Sequence, residues 1–212
     1  GLGSRMGVLT SEQPKCMTEI SPRETILSRQ LFMIAEAGIK EVVMTTGYHE
    51  EILINYCRGL DLPLHYTFVK NPIYEQTNYI YSIYCARDYL DDDIVLMHGD
   101  LVFENEVFEK VITSLVSCMI ISSTLPIPVK DFKAKVVNGY VVEVGTDISE
   151  DAVKAEALYK LNRDDWRLWL DKIIEFCVNG NWKVYAENAL NSLSGRANIL
   201  ALDIQNSLCS EI

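Results

Sequence analysis

The chain opens on Gly1-Leu2-Gly3-Ser4-Arg5-Met6-Gly7-Val8-Leu9-Thr10, with Pro14-Lys15 close behind. Glycines let a backbone approach a ligand closely, and a run of exposed N–H groups then cradles phosphate oxygens. Arg5 offers two parallel hydrogen bonds to a phosphate, and Lys15 offers a compact point charge. Taken by itself, Gly-x-Gly is equally a plain loop beside two surface cations. The rest of the chain has to separate the two readings.

Working outward from the loop, strand and helix patterns alternate. Ser21-Pro22-Arg23-Glu24 reads as a capping box with proline at the first helical position. Ile26, Leu27, Leu31 and Ile34 then give one apolar helix face, which Gly38 ends. Residues 41–46 read as a buried strand running into Thr46-Gly47-Tyr48, residues 49–58 as a helix stopped by Gly59, and residues 64–69 as a strand. A helix is expected over 79–90 and a buried strand over 94–97 that ends at His98-Gly99-Asp100. A helix over 106–117 and a strand over 118–122 follow. Alternation of this kind predicts an α/β, Rossmann-like, mainly parallel sheet with helices on both faces. Ligands of such sheets bind at the carboxyl ends of the strands, which places residues 1–15, 46–48 and 98–100 on one rim.

The second half changes character. Residues 132–137 and 140–144, joined by Asn138-Gly139, read as a β-hairpin with a type I′ turn. Residues 163–177 form an amphipathic helix carrying Trp166 and Trp169. Short strands are expected at 183–186 and 199–202. This half reads as a small β-rich, acceptor-binding addition to the sheet. The chain is therefore expected to be one domain over 1–212, with a nucleotide-binding half at 1–125 and an acceptor-binding half at 126–212.

Bulk properties narrow the partners. The 212 residues carry a formal net charge of −11, which argues against a nucleic-acid binder or an anionic-membrane binder. A local group of cations still suits a small anionic substrate. The six cysteines form no close pair and no C-x-x-C, so they fit neither a zinc site nor a disulfide framework. Reduced thiols in a cytoplasmic protein are expected. The longest uncharged run, 111–129, is broken by serines, threonines and two prolines, and no membrane insertion is expected.

The loop as a whole, from Gly1 through Thr10 and on to Pro14-Lys15-Cys16-Met17, resembles the signature of the sugar-phosphate-type nucleotidyltransferases, G-x-G-x-R-(M/L)-x-x-L-T-x-x-x-P-K-x-L. Met17 stands where that pattern has Leu. The family places an apolar strand before this loop, so such a strand is expected ahead of Gly1. Asn71-Pro72, Tyr74 and Thr77-Asn78-Tyr79-Ile80-Tyr81-Ser82-Ile83-Tyr84 resemble the N-x-x-Y…T-N-N-I-Y-S-L-Y stretch of the choline-phosphate cytidylyltransferase branch, with Tyr79 in place of an Asn. Gly99-Asp100 resembles the metal-binding Gly-Asp, and Ser210-Glu211-Ile212 the C-terminal E-I-D. The resemblance spans most of the chain and is strongest in the first hundred residues.

The resemblance implies transfer of CMP from CTP to phosphocholine with release of pyrophosphate. The same chemistry on 2-aminoethylphosphonate or a sugar 1-phosphate is an alternative, as is a non-catalytic nucleotide-binding regulator. Lys15 and Arg5 are the expected catalytic cations. Gly1, Leu2, Gly3, Ser4, Arg5, Lys15, Tyr48, Thr77, Asn78 and Ser82 are expected on the nucleotide. Asp100 is expected to hold Mg²⁺, with a second carboxylate just beyond Ile212. Glu211 reads as a poor substitute, because adjacent side chains of an extended segment point to opposite sides. Phe132, Tyr159, Tyr185 and Glu187 are the aromatic and acidic candidates for an acceptor cation, and Lys133 for its phosphate. His98 reads as a positioning residue, since an acceptor phosphate is already an anionic nucleophile. The expected partners are CTP and a small phosphorylated acceptor, and the sequence allows a homodimer.

Overall fold

The computed structural model describes residues 13–148, 151–193 and 195–212. The glycine loop up to residue 12, and with it Gly1, Leu2, Gly3, Ser4 and Arg5, lies outside the described residues. The first elements are β1 (Glu19–Ser21), β2 (Glu24–Thr25) and α1 (Ile26–Glu36). The helix starts later than the capping box at 21–24 predicts. Ser21 Oγ does donate to Glu24 at 3.1 Å, but Arg23 takes φ +73°, so the segment closes a tight β turn. The real cap is Thr25, whose side chain and Ser28 satisfy each other's backbone N–H groups.

The βα alternation holds through β3 (Glu41–Thr46), α2 (Glu50–Gly59) and β4 (His65–Lys70), and β3 and β4 pair in parallel. Then come α3 (Tyr79–Ala86), β5 (Ile94–Met97), β6 (Leu101–Phe103), α4 (Asn105–Thr113) and β7 (Cys118–Ser122). The hairpin is β8 (Lys133–Val137) and β9 (Tyr140–Gly145), with Asn138 and Gly139 both at positive φ as a type I′ turn requires. The chain ends through β10 (Ala152–Leu161), α5 (Arg163–Val178), α6 (Ala186–Asn191), β11 (Leu200–Asp203) and β12 (Cys209–Glu211). Residues 183–186 are not a strand but the approach to α6, capped reciprocally by Tyr185 and Asn188.

A mainly parallel sheet is not what the described strands build. The six-stranded sheet runs β5-β10-β7-β11-β9-β8, and its only parallel pairing among described residues is β7 with β11. β10 lies antiparallel to β5, β7 and β8. Because β8 pairs with both β9 and β10, the strands β10-β7-β11-β9-β8 close into a ring. The physical reason is that β10 enters the middle of the sheet by a hairpin-side connection, not by a helical crossover. No described helix is long and apolar enough to cross a membrane. All six cysteines are free.

Three apolar clusters surround this frame. The largest packs α3, α5 and α6 on one side of the sheet, with Trp166, Trp169 and Tyr159 fully buried. Trp169 donates its indole N–H to the Ala186 carbonyl at 2.8 Å and meets Tyr159 edge-on at 5.3 Å. Its burial therefore ties α5 to α6 and to β10. Trp169→Ala removes a fully buried ring and is expected to destabilise the fold by about 3–5 kcal/mol. The urea midpoint measures this, and a loss under about 1 kcal/mol counts against that packing role.

Candidate active site

The His98-Gly99-Asp100 turn joins β5 to β6, and three separate elements hold its backbone. Gln30 of α1 donates from Nε2 to the carbonyls of His98 and Leu101, at 3.1 and 2.8 Å. The His98 N–H reaches the Ala157 carbonyl at 3.2 Å, where β10 bulges between Ala155 and Tyr159. The Ile212 N–H reaches the Asp100 carbonyl at 3.2 Å. Gln30 was missed by sequence reading, although its position within the apolar 27/31/34 stripe was a signal. A buried polar side chain on such a face needs partners, and these carbonyls are its partners.

Side chains converge on this turn. A 3-10 turn over Lys15–Met17 presents Lys15, whose Nζ lies 2.6 Å from Asp100 Oδ2. β12 pairs with β6 in a register that sets Glu211 opposite Leu101. His98 Nδ1 then lies 2.5 Å from Glu211 Oε1. Ligand atoms of His98, Asp100 and Glu211 all fall within 4.8 Å of one another. Glu211, set aside on strand alternation, is thus on the site after all. Alternation separates 211 from 210 and 212, but only the β6 register decides which face 211 takes. Burial draws the His98 pKa down, yet its hydrogen bond to Glu211 and the charges of Glu211, Glu187 and Asp100 outweigh this, and the net shift is upward.

The second group lies against His98. The Tyr79 ring meets the His98 ring edge-on at 4.7 Å, and its hydroxyl donates to Glu187 Oε2. Tyr159 donates to the other oxygen of Glu187 at 2.9 Å. Glu187 and Tyr159 are each 1% exposed, whereas Tyr185 is 39% exposed. Tyr185 packs on Phe132 at 4.9 Å and faces Tyr79 at 6.4 Å. Four of the five acceptor candidates are therefore brought together, and Tyr79 joins them. Lys133 does something else: its ammonium donates to the carbonyls of Val129, Asp131 and Thr146, tying down that loop.

A buried residue that is not among the expected nucleotide contacts organises those candidates. Asn71, 1% exposed, donates from Nδ2 to Thr77 Oγ1 at 2.9 Å and Ser82 Oγ at 3.1 Å. Asn78 caps α3, and its own N–H goes to the Trp182 carbonyl. Tyr48 is exposed and packs on His49. Beside it, Gly47 sits so close to Tyr74 that an added Cβ would come within 2.9 Å of the ring. Only glycine allows that approach.

A loop expected to cradle phosphate, a Gly-Asp turn carrying a lysine-paired carboxylate, and an α/β frame with a β-rich addition define a nucleotidyltransferase. The chain belongs to the MobA-like NTP transferase domain family, which matches residues 1–124. It is 27% identical over 195 residues to the CTP:phosphoglutamine cytidylyltransferase of Campylobacter jejuni, covering 83% of this chain and 74% of that one. It is 32% identical over 157 residues to the CMP-5'-(3-aminopropyl)phosphonate synthase of Streptomyces rubellomurinus, covering 74% of this chain but 24% of that longer protein. The solved CTP:phosphocholine cytidylyltransferase of Streptococcus pneumoniae shares its fold, with a TM-score of 0.76 over 100% of this chain and 90% of the other, at 17% identity. The chain is thus an enzyme of the nucleotidyltransferase class.

Enzymes that act on nucleoside triphosphates generally use a divalent cation. The donor set here fits one: two carboxylates and an imidazole within 4.8 Å suit a hard divalent ion, with the imidazole more at home on Mn²⁺ than on Mg²⁺.

Close to this group lies a buried ion pair. Lys154 Nζ is 2.7 Å from Glu156 Oε1, both side chains are under a tenth exposed, and Lys154 also reaches Ser210 Oγ at 3.5 Å. Burial pushes the Glu156 pKa up to about 7, against the hydrogen bond and charge of Lys154. A carboxyl raised on folding favours the folded state while protonated. Its contribution is complete below its unfolded value near 4.5 and is lost as pH rises through about 7. The wild-type urea midpoint is therefore expected to fall between pH 5 and pH 8, and Glu156→Gln to flatten that fall. An equal fall in both proteins would show that Glu156 is not the titrating group.

Proposed function

We propose that this enzyme transfers CMP from CTP to a small phosphate or phosphonate that bears a cationic amine, with phosphocholine the first choice, and releases pyrophosphate. In this reading residues 1–125 hold the nucleotide and 126–212 the acceptor, and the free thiols suit a cytoplasmic enzyme. The observation that carries it is Glu187. This carboxylate is buried, accepts hydrogen bonds from Tyr79 and Tyr159, and pairs with no lysine or arginine among the described residues. A buried carboxylate with only neutral donors attracts a cation strongly, and the Tyr79 ring on it, with Tyr185 against Tyr79 and Phe132 against Tyr185, suits an ammonium group. A sugar 1-phosphate offers no such cation. The relatives named as a CTP:phosphoglutamine cytidylyltransferase and as a CMP-5'-(3-aminopropyl)phosphonate synthase support an amine-bearing acceptor, and 2-aminoethylphosphonate is the second candidate.

The acceptor phosphate oxygen attacks the α-phosphorus of CTP. A P–O bond forms there as the bond to the departing pyrophosphate breaks. The nucleophile is already an anion, so no side chain needs to remove a proton, and His98 orients Glu211. Lys15 neutralises charge on the phosphates, and Arg5 with the glycine loop receives the leaving pyrophosphate. Asp100 and Glu211 would hold Mg²⁺, which when bound supplies charge neutralisation to the triphosphate. Most of the acceleration then comes from alignment and preorganised charge.

Pyrophosphate release from CTP, UTP, GTP, ATP and dTTP against phosphocholine, aminoalkylphosphonates and sugar phosphates tests the reading. CTP with an amine-bearing acceptor is expected to be fastest, and a preference for a sugar 1-phosphate would refute it. Glu187→Gln is expected to raise the acceptor KM about tenfold or more while leaving the CTP KM unchanged. Lys15→Ala and Asp100→Ala are each expected to lower kcat by about a hundredfold. Wild-type rates in both variants would remove those residues from the mechanism.

A further inference from the structure

The two carboxylates of the His98–Asp100–Glu211 group each already have a partner within the chain. Asp100 takes Lys15 at 2.6 Å, and Glu211 takes His98 at 2.5 Å. We propose that Lys15 is an internal stand-in for the divalent cation. It holds Asp100 in the nucleotide-free enzyme and gives it up to metal only when the phosphates of a nucleotide draw the ammonium away. This rests on the reading of the site as one for a nucleoside triphosphate.

The argument is electrostatic and geometric. Lys15 and Asp100 are both about a quarter exposed or less, so their attraction is less screened than that of a surface pair. A divalent ion on Asp100 would sit a few ångströms from the Lys15 ammonium, and the two cations repel. Metal arriving alone must therefore break the Lys15–Asp100 contact without giving the ammonium a new partner. A triphosphate offers that partner, because Lys15 begins the 3-10 turn that follows the glycine loop in the chain. Lysine also suits exchange between anions, since its flexible four-carbon stem carries a point charge that needs no fixed fork geometry. On the other side of the turn, Gln30, Ala157 and Ile212 fix the backbone around Asp100, so the exchange moves the lysine and not the carboxylate. Linkage makes the effect reciprocal: whatever nucleotide does for metal affinity, metal does for nucleotide affinity.

Mn²⁺ is the probe, because the fraction left free is read directly from its electron paramagnetic resonance signal, with no turnover required. Without nucleotide, Lys15→Met and Lys15→Gln are each expected to bind Mn²⁺ about tenfold more tightly than the wild type. Both replace a partly exposed side chain, and circular dichroism checks their folding. The gain is expected to vanish in the Lys15→Met/Asp100→Asn double variant. Unchanged Mn²⁺ affinity in both single variants would overturn the proposal, as would a gain that survives loss of Asp100. Equilibrium dialysis of CTP in EDTA forms the second arm: the wild type is expected to bind CTP and both lysine variants to bind it more weakly. Absence of CTP binding to the wild type would sink the nucleotide reading, whereas CTP binding that is indifferent to Lys15 would sink the exchange.

Discussion

The structure depends most on the hydrogen bonding of β10. This ten-residue strand pairs with β5, β7 and β8 and so joins the first-half strands to the hairpin layer. Its bulge between Ala155 and Tyr159 lets one strand serve two jobs. Its N-terminal part closes the ring with β8, and its C-terminal part aligns with β5, so that the Ala157 carbonyl takes the His98 N–H. Tyr159, on the same strand, reaches Glu187. The placement of the Gly-Asp turn and that of the Glu187 carboxylate are thus set by one stretch of backbone.

The site itself is a compact arrangement of opposed charges. Lys15 pairs with Asp100 and His98 with Glu211, while Glu187 accepts from two tyrosine hydroxyls and has no lysine or arginine partner among the described residues. Tyr79 stands between the two groups, its ring on His98 and its hydroxyl on Glu187. One end of the site is therefore self-compensated and the other is not. That asymmetry suits a reaction in which one substrate carries most of the negative charge and the other brings a positive group.

Much of the first half was legible in the chain. The strands at β3, β5 and β7 are short apolar runs between turn signals, and α2 ends at its glycine. These are local features, and local features survive in one dimension. β10 was not legible. Ala152–Leu161 is, apart from Val153 and Tyr159, built of alanine, lysine, glutamate and leucine, which favour helix, and it shows no clean alternation. Small residues at Ala155 and Ala157 suit a strand buried between neighbours, a property of the neighbours and not of the segment. The same limit explains Lys133, which fitted an acceptor phosphate by strand position but found three loop carbonyls in space.

The sequence by itself determined the phosphate-loop signature, the Gly-Asp turn after a buried strand, and the aromatic and acidic residues proposed to receive the acceptor. Tertiary structure decided which of these meet. Lys15 and Asp100 are 85 residues apart, and His98 and Glu211 are 113 apart. Their contacts follow from strand order and register, above all β12 on β6 and β10 beside β5, and no periodicity along a single chain records which distant strand a segment will choose.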